Sequence, residues 1–181
     1  MSSKSAMREL RDDLARAVEQ ARPSEPDEVF AALCARLSKR RGRPVIHRLV
    51  DFPPETASGL YLDMADRDII CVQATYRPFH QLVIFGHEVW HMMAGHGSHA
   101  GHGKTGTSVA ARLVTDSADI DATVQNLAAR TDFRQAEENE AETFGLELGT
   151  HLRGWLEGTP TVAPRSELAQ RIGQSLGHHR T

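Results

Sequence analysis

Five consecutive residues, His87-Glu88-Val89-Trp90-His91, constrain this chain more than any other stretch. Histidines four residues apart lie on one face of an α-helix, so their imidazoles can converge on a single ion. The pattern H-E-x-x-H therefore demands a helix, and the flanks supply one. Pro78 opens it, since proline is tolerated in a first turn; Phe79 to Ala94 form an apolar body; Gly95 is a natural stop. Glu88, one step from His87, projects beside the open position of such an ion. A carboxylate there can take a proton from an attacking water and pass it to a leaving amine. With ten histidines in 181 residues, the motif is expected by chance about 0.04 times.

A catalytic zinc site needs a third protein ligand besides its water. The segment Glu137-Glu138-Asn139-Glu140-Ala141-Glu142-Thr143-Phe144 lies on an expected helix over 134–153 and offers four carboxylates. Ala141, Phe144 and Leu148 mark its buried face, and Glu140 shares that face with Phe144 at four-residue spacing. A carboxylate on an apolar face is costly unless paired or coordinated. Glu140 is therefore the expected third ligand, with Glu137 as second choice and Glu142 expected to face solvent. His96, His99 and His102 compete with it from a Gly/His-rich loop over 95–107, but without the usual spacing.

The rest of the chain reads as helices around a small sheet. Leu10, Leu14, Val18 and Ala21 predict an amphipathic helix over 5–21. A second spans about 27–38, capped by Ser24 or Asp27, with Val29, Phe30, Leu33 and Leu37 on one side. Residues 45–50 are β-branched and short, as a strand should be. Residues 59–64 and 68–72, separated by Ala65-Asp66-Arg67, predict an antiparallel hairpin. Further helices are expected over 108–114, 120–129 and 165–176. The expectation is a single α+β domain over 1–181: N-terminal helices at 5–43, a core at 45–155 with a small antiparallel sheet, and a C-terminal helix and tail at 156–181.

Composition removes several alternatives. The formal charge of -3 argues for neither nucleic acid nor an acidic membrane surface as partner. The basic run Lys39-Arg40-Arg41-Gly42-Arg43 suits a helix C-terminus, where cations are favoured. The N-terminal stretch has no apolar signal region and no segment is long enough to span a bilayer, so a cytoplasmic protein is expected. The two cysteines, Cys34 and Cys71, lack the spacing of zinc ligands and read as small buried hydrophobes.

From Gly59 to Leu148 the chain resembles the ImmA/IrrE-type metallopeptidases, relatives of the gluzincins. The resemblance is carried by Gly59-Leu60-Tyr61, by Ile69-Ile70-Cys71-Val72, by His87 to His91 and by Glu140-Ala141-Glu142-Thr143-Phe144-Gly145. It implies a zincin-like fold and one Zn2+ per chain on His87, His91 and Glu140, with Glu88 as catalytic base. It also implies intracellular cleavage of a specific protein, such as a helix-turn-helix repressor or an antitoxin partner, in a stress or toxin–antitoxin setting. The chain departs from the family at Trp90, where glycine is usual, at Leu146-Glu147-Leu148-Gly149, and in the loop over 95–107. His151, Tyr61 and Tyr76 are candidates to donate a hydrogen bond to an oxyanion.

Three functions follow. A zinc endopeptidase predicts that Glu88→Gln keeps the metal and loses cleavage. A non-catalytic zinc-containing regulator, binding a partner protein through the same fold, predicts that this substitution is silent. A DNA-binding or toxin module is disfavoured by the charge and by the lack of a helix-turn-helix. A two-His, one-carboxylate set also suits iron, although the H-E-x-x-H helix favours zinc.

Overall fold

The fold is taken from a computed structural model that describes residues 2–54, 56–94 and 135–157. Helices α1 (Ser3–Ala21) and α2 (Pro26–Arg41) come first, then strands β1 (Val45–Val50), β2 (Gly59–Asp63) and β3 (Asp68–Gln73). Helix α3 (Pro78–Ala94) carries the His-Glu-Val-Trp-His segment, and α4 (Gln135–Leu156) carries the glutamate cluster. The architecture is α+β, as expected. The helices expected over 108–114, 120–129 and 165–176, and the Gly/His loop, lie outside the described residues.

The sheet corrects one expectation. Its order is β1-β3-β2, with β2 and β3 an antiparallel hairpin but β1 parallel to β3, so it is mixed rather than antiparallel. Burial explains the order. In β3 every residue from Asp68 to Val72 is buried, whereas Arg48 and Leu49 of β1 are exposed. The strand with the most to bury takes the centre, and the half-polar one takes an edge.

Leu10, Leu14 and Val18 of α1 and Val29, Phe30, Leu33 and Leu37 of α2 are buried, as their periodicity requires. They join side chains of β1, of Tyr61, Ile70 and Val72, and of α3 and α4 in one core on one face of the sheet. The other face carries a smaller cluster of Val50, Phe52, Leu60, Leu62, Ile69 and Cys71. The start of α2 differs from expectation. Its N-cap is Glu25 with no side-chain cap, and Ser24 instead donates its N–H and hydroxyl to Glu28, at 2.7 and 3.0 Å.

Carboxylates of α1, β2 and β3 pair with the arginines of the basic run. Arg40 reaches Asp13 and Glu9 of α1, and Arg36 grips Asp13 at 2.6 and 2.8 Å. Arg41 and Arg43 hold Asp68, which has no solvent exposure and also accepts from the Tyr61 hydroxyl at 2.8 Å. Burial alone would raise the Asp68 carboxyl, but hydrogen bonds from Arg43, Arg41 and Tyr61 outweigh it and hold it below the usual carboxylate range. These cations tie α2 to the start of β3. Among the described residues no helix is long and apolar enough to cross a membrane.

Candidate metal centre

Three glycines bring α3 and α4 together. A Cβ on Gly86 would lie 2.9 Å from the Gly145 Cα, one on Gly145 only 2.4 Å from the Val83 carbonyl oxygen, and one on Gly149 2.7 Å from a Val83 methyl. The two backbones touch where larger side chains would hold them apart, and the touching surface of α3 is the turn that leads into His87. Gln81 anchors the other end of α3, donating to the carbonyl of Ala74 at the end of β3 at 3.1 Å.

At this crossing His87, His91 and Glu138 converge. The two Nε2 atoms are 3.0 Å apart. One Glu138 oxygen lies 3.3 Å from His87 Nε2 and the other 3.3 Å from His91 Nε2. Ligands held at ~2.05 Å in tetrahedral directions stand ~3.3 Å apart, so the spacing of this donor set fits a small divalent ion. All three residues are only partly exposed. Burial depresses the His87 imidazole, which favours its neutral, metal-binding form. The Glu138 carboxyl is pushed up to about 7 by burial, with the Glu142 and Glu137 charges adding to the effect. A cation among these donors would reverse that cost.

The third member of the cluster is thus Glu138, not Glu140. The Glu140 carboxylate accepts from the Trp90 indole N–H at 3.4 Å, and Trp90 packs on Phe144, with centroids 5.4 Å apart. Helical phase explains the correction. Measured from Gly145 at ~100° per residue, Glu138 falls ~20° from the contact line, whereas Glu140 falls ~140° away, on the Phe144 side. Ala141, Phe144 and Leu148 are buried, as their spacing predicts, but Glu140 lies on the Phe144 edge of that face, against Trp90, while Glu138 lies near the Gly145 line that meets His87. Gly145, seven positions after Glu138, is the signal that separates the two carboxylates.

Glu88 is buried, only 6% exposed, and its Oε2 has no hydrogen-bond partner. Burial pushes its carboxyl up to about 8, the Glu138 charge adds to that, and a hydrogen bond from the Tyr61 backbone N–H works the other way. Gly59 makes room for it, since a Cβ there would lie 2.8 Å from Glu88 Oε1 and 2.5 Å from Ile84. Among the described residues, strand β2 is a sheet edge. Ser58 and Met64 bond inward to Gln73 and Arg67, so by antiparallel alternation the backbone groups of Gly59, Tyr61 and Asp63 point outward. A cleft of about 450 Å³ opens between this edge and the helices, lined by residues 56–59 and by Val83, Ile84, His87, Glu88, Glu138, Glu142 and Leu146.

None of the three candidate oxyanion donors lines this cleft. The Tyr61 hydroxyl is committed to Asp68. Tyr76 is 45% exposed and lies against His80. His151 is exposed, two turns past the Gly145 crossing. His96, His99 and His102 lie outside the described residues. Comparison of the chain with protein-family models, curated proteins and solved structures gives no match.

Proposed function

We propose that this chain is a zinc-dependent endopeptidase acting on an extended segment of a protein substrate, the function its resemblance to the ImmA/IrrE-type metallopeptidases also implies. One observation carries the reading. Two imidazoles and one carboxylate stand 3.0–3.3 Å apart beside a buried carboxylate with an unpartnered oxygen, and His87, Glu88 and Glu138 line a cleft next to β2, an edge strand among the described residues. His87, His91 and Glu138 hold the metal. A bound zinc ion supplies Lewis acidity for hydrolysis of the peptide bond.

Glu88 moves the proton. Its buried carboxylate, adjacent in the chain to His87 and with one oxygen unpartnered, suits a group that accepts a proton from the attacking water and returns it to the leaving amine. The Tyr61 N–H orients it, and the absence of a side chain at Gly59 lets it lie against β2. The outward backbone groups of Gly59 and Asp63 can pair with an added substrate strand, fixing its register relative to Glu88.

The test uses zinc-loaded full chain on a mixture of peptides, with new termini read by mass spectrometry. Cleavage by the wild type, and none by a Glu88→Gln variant that still carries one zinc, supports the reading. Equal cleavage by Glu88→Gln overturns it. A wild type that holds zinc and cuts nothing points instead to a regulator that binds its partner protein without cleaving it.

A further inference from the structure

Helix α4 forms one wall of the cleft and presents Glu138, Glu142 and Leu146 to it. At four-residue spacing these side chains share a helix face, each ~6 Å further along the axis than the last. The first stands at the candidate metal centre, and the last is an apolar side chain left 56% exposed. Glu142, between them, is close enough for its charge to act on both His87 and Glu138.

Glu138 belongs to the candidate metal centre, whereas Glu142 lines the cleft outside that donor set. Among the described residues no lysine or arginine lines the cleft or forms an ion pair with Glu142. Glu88 lines the same cavity, and its buried Oε2 has no hydrogen-bond partner. Val83, Ile84 and Leu146 provide an apolar surface next to Glu142. That pairing suits a side chain with a long aliphatic stem and a cationic head.

Resting on the endopeptidase reading, we propose that the cleft selects a lysine or arginine side chain one or two residues from the bond presented to the metal centre, and that Glu142 is the residue that selects it. The distance follows from the helix: one turn from Glu138 to Glu142 spans about two residues of an extended chain. The neighbourhood also disfavours acidic substrates, because Glu142 repels them.

The experiment measures binding to the zinc-loaded full chain of peptide hydroxamates that differ in one side chain, arginine or its neutral isostere citrulline. That side chain is placed one and then two residues from the hydroxamate. Glu142 is exposed, so the arginine compound is expected to bind about three- to fivefold tighter at low salt, less at high salt. In Glu142→Gln the ratio of the two affinities falls to about one. Equal binding of both compounds to the wild type at both positions overturns the inference and leaves the endopeptidase reading standing. An arginine preference that survives Glu142→Gln removes Glu142 as its source. Failure of every hydroxamate to bind the zinc-loaded protein removes the peptide-cleft reading and this inference with it.

Discussion

An alanine at Gly145 would place its Cβ 2.4 Å from the Val83 carbonyl oxygen and 3.1 Å from the His87 amide nitrogen. Ordinary contact begins at 3.4 Å, so about 1 Å has to be absorbed, and both obstacles are backbone that no rotamer change can move. The separation has to come from α4 moving off α3. Overpacking of this kind costs ~1–3 kcal/mol, against ~1 kcal/mol recovered because alanine is the better helix former. A net loss of ~0–2 kcal/mol is expected, read by urea unfolding in the presence of chelator. The same displacement carries Glu138 away from imidazoles now 3.3 Å from it. Zinc affinity, measured by competition with a chromophoric chelator, should fall about ten- to a hundredfold, the range found when the support of a metal ligand is lost. Gly154→Ala is the control: it lies on the same helix with nothing within 4 Å of its Cβ, and should stabilise slightly without changing zinc affinity. If Gly145→Ala behaves like Gly154→Ala in both assays, the glycine crossing does not set the geometry of the site.

Two further outcomes test other parts of the structure. Glu138→Ala should lose most of the bound zinc, by metal analysis of purified protein, while Glu140→Ala retains it; the reverse result would restore Glu140 as the ligand. His47 stacks on Phe30 with centroids 4.2 Å apart, and burial holds its imidazole down to about 4, below the ~6.5 of the unfolded chain. A base depressed on folding adds no penalty above the unfolded value, but as pH falls through 6.5 the unfolded state takes up a proton the native state refuses. Between pH 7.5 and 5 this should cost ~2 kcal/mol. His47→Phe keeps the ring stack and should lose that much less stability over the same range in chelator. Identical pH dependence in the two proteins would show that His47 does not stay neutral on folding.

The sequence by itself determined whatever depends on local period and covalent spacing. The His87–His91 pair, the bounds of α3 at Pro78 and Ala94, the buried faces of α1 and α2, and the hairpin around Ala65-Asp66-Arg67 follow from 3.6- and 2-residue repeats and from proline and turn chemistry. Neighbours along the chain settle these features. Only the tertiary structure decided which carboxylate meets the imidazoles, because the phase of α4 is set by how closely its backbone can approach α3. Gly86, Gly145 and Gly149 control that approach by what they lack, and a search for large apolar residues passes over them. The parallel placement of β1 likewise depends on which strand gains most from a central position. The fate of Tyr61 was equally hidden. Its hydroxyl is taken by a buried aspartate seven residues on, Asp68, and its backbone N–H by a glutamate twenty-seven residues on, Glu88. The side chain leaves a face of the sheet while the N–H lies in its plane, but which partners occupy them is settled only when the helices pack.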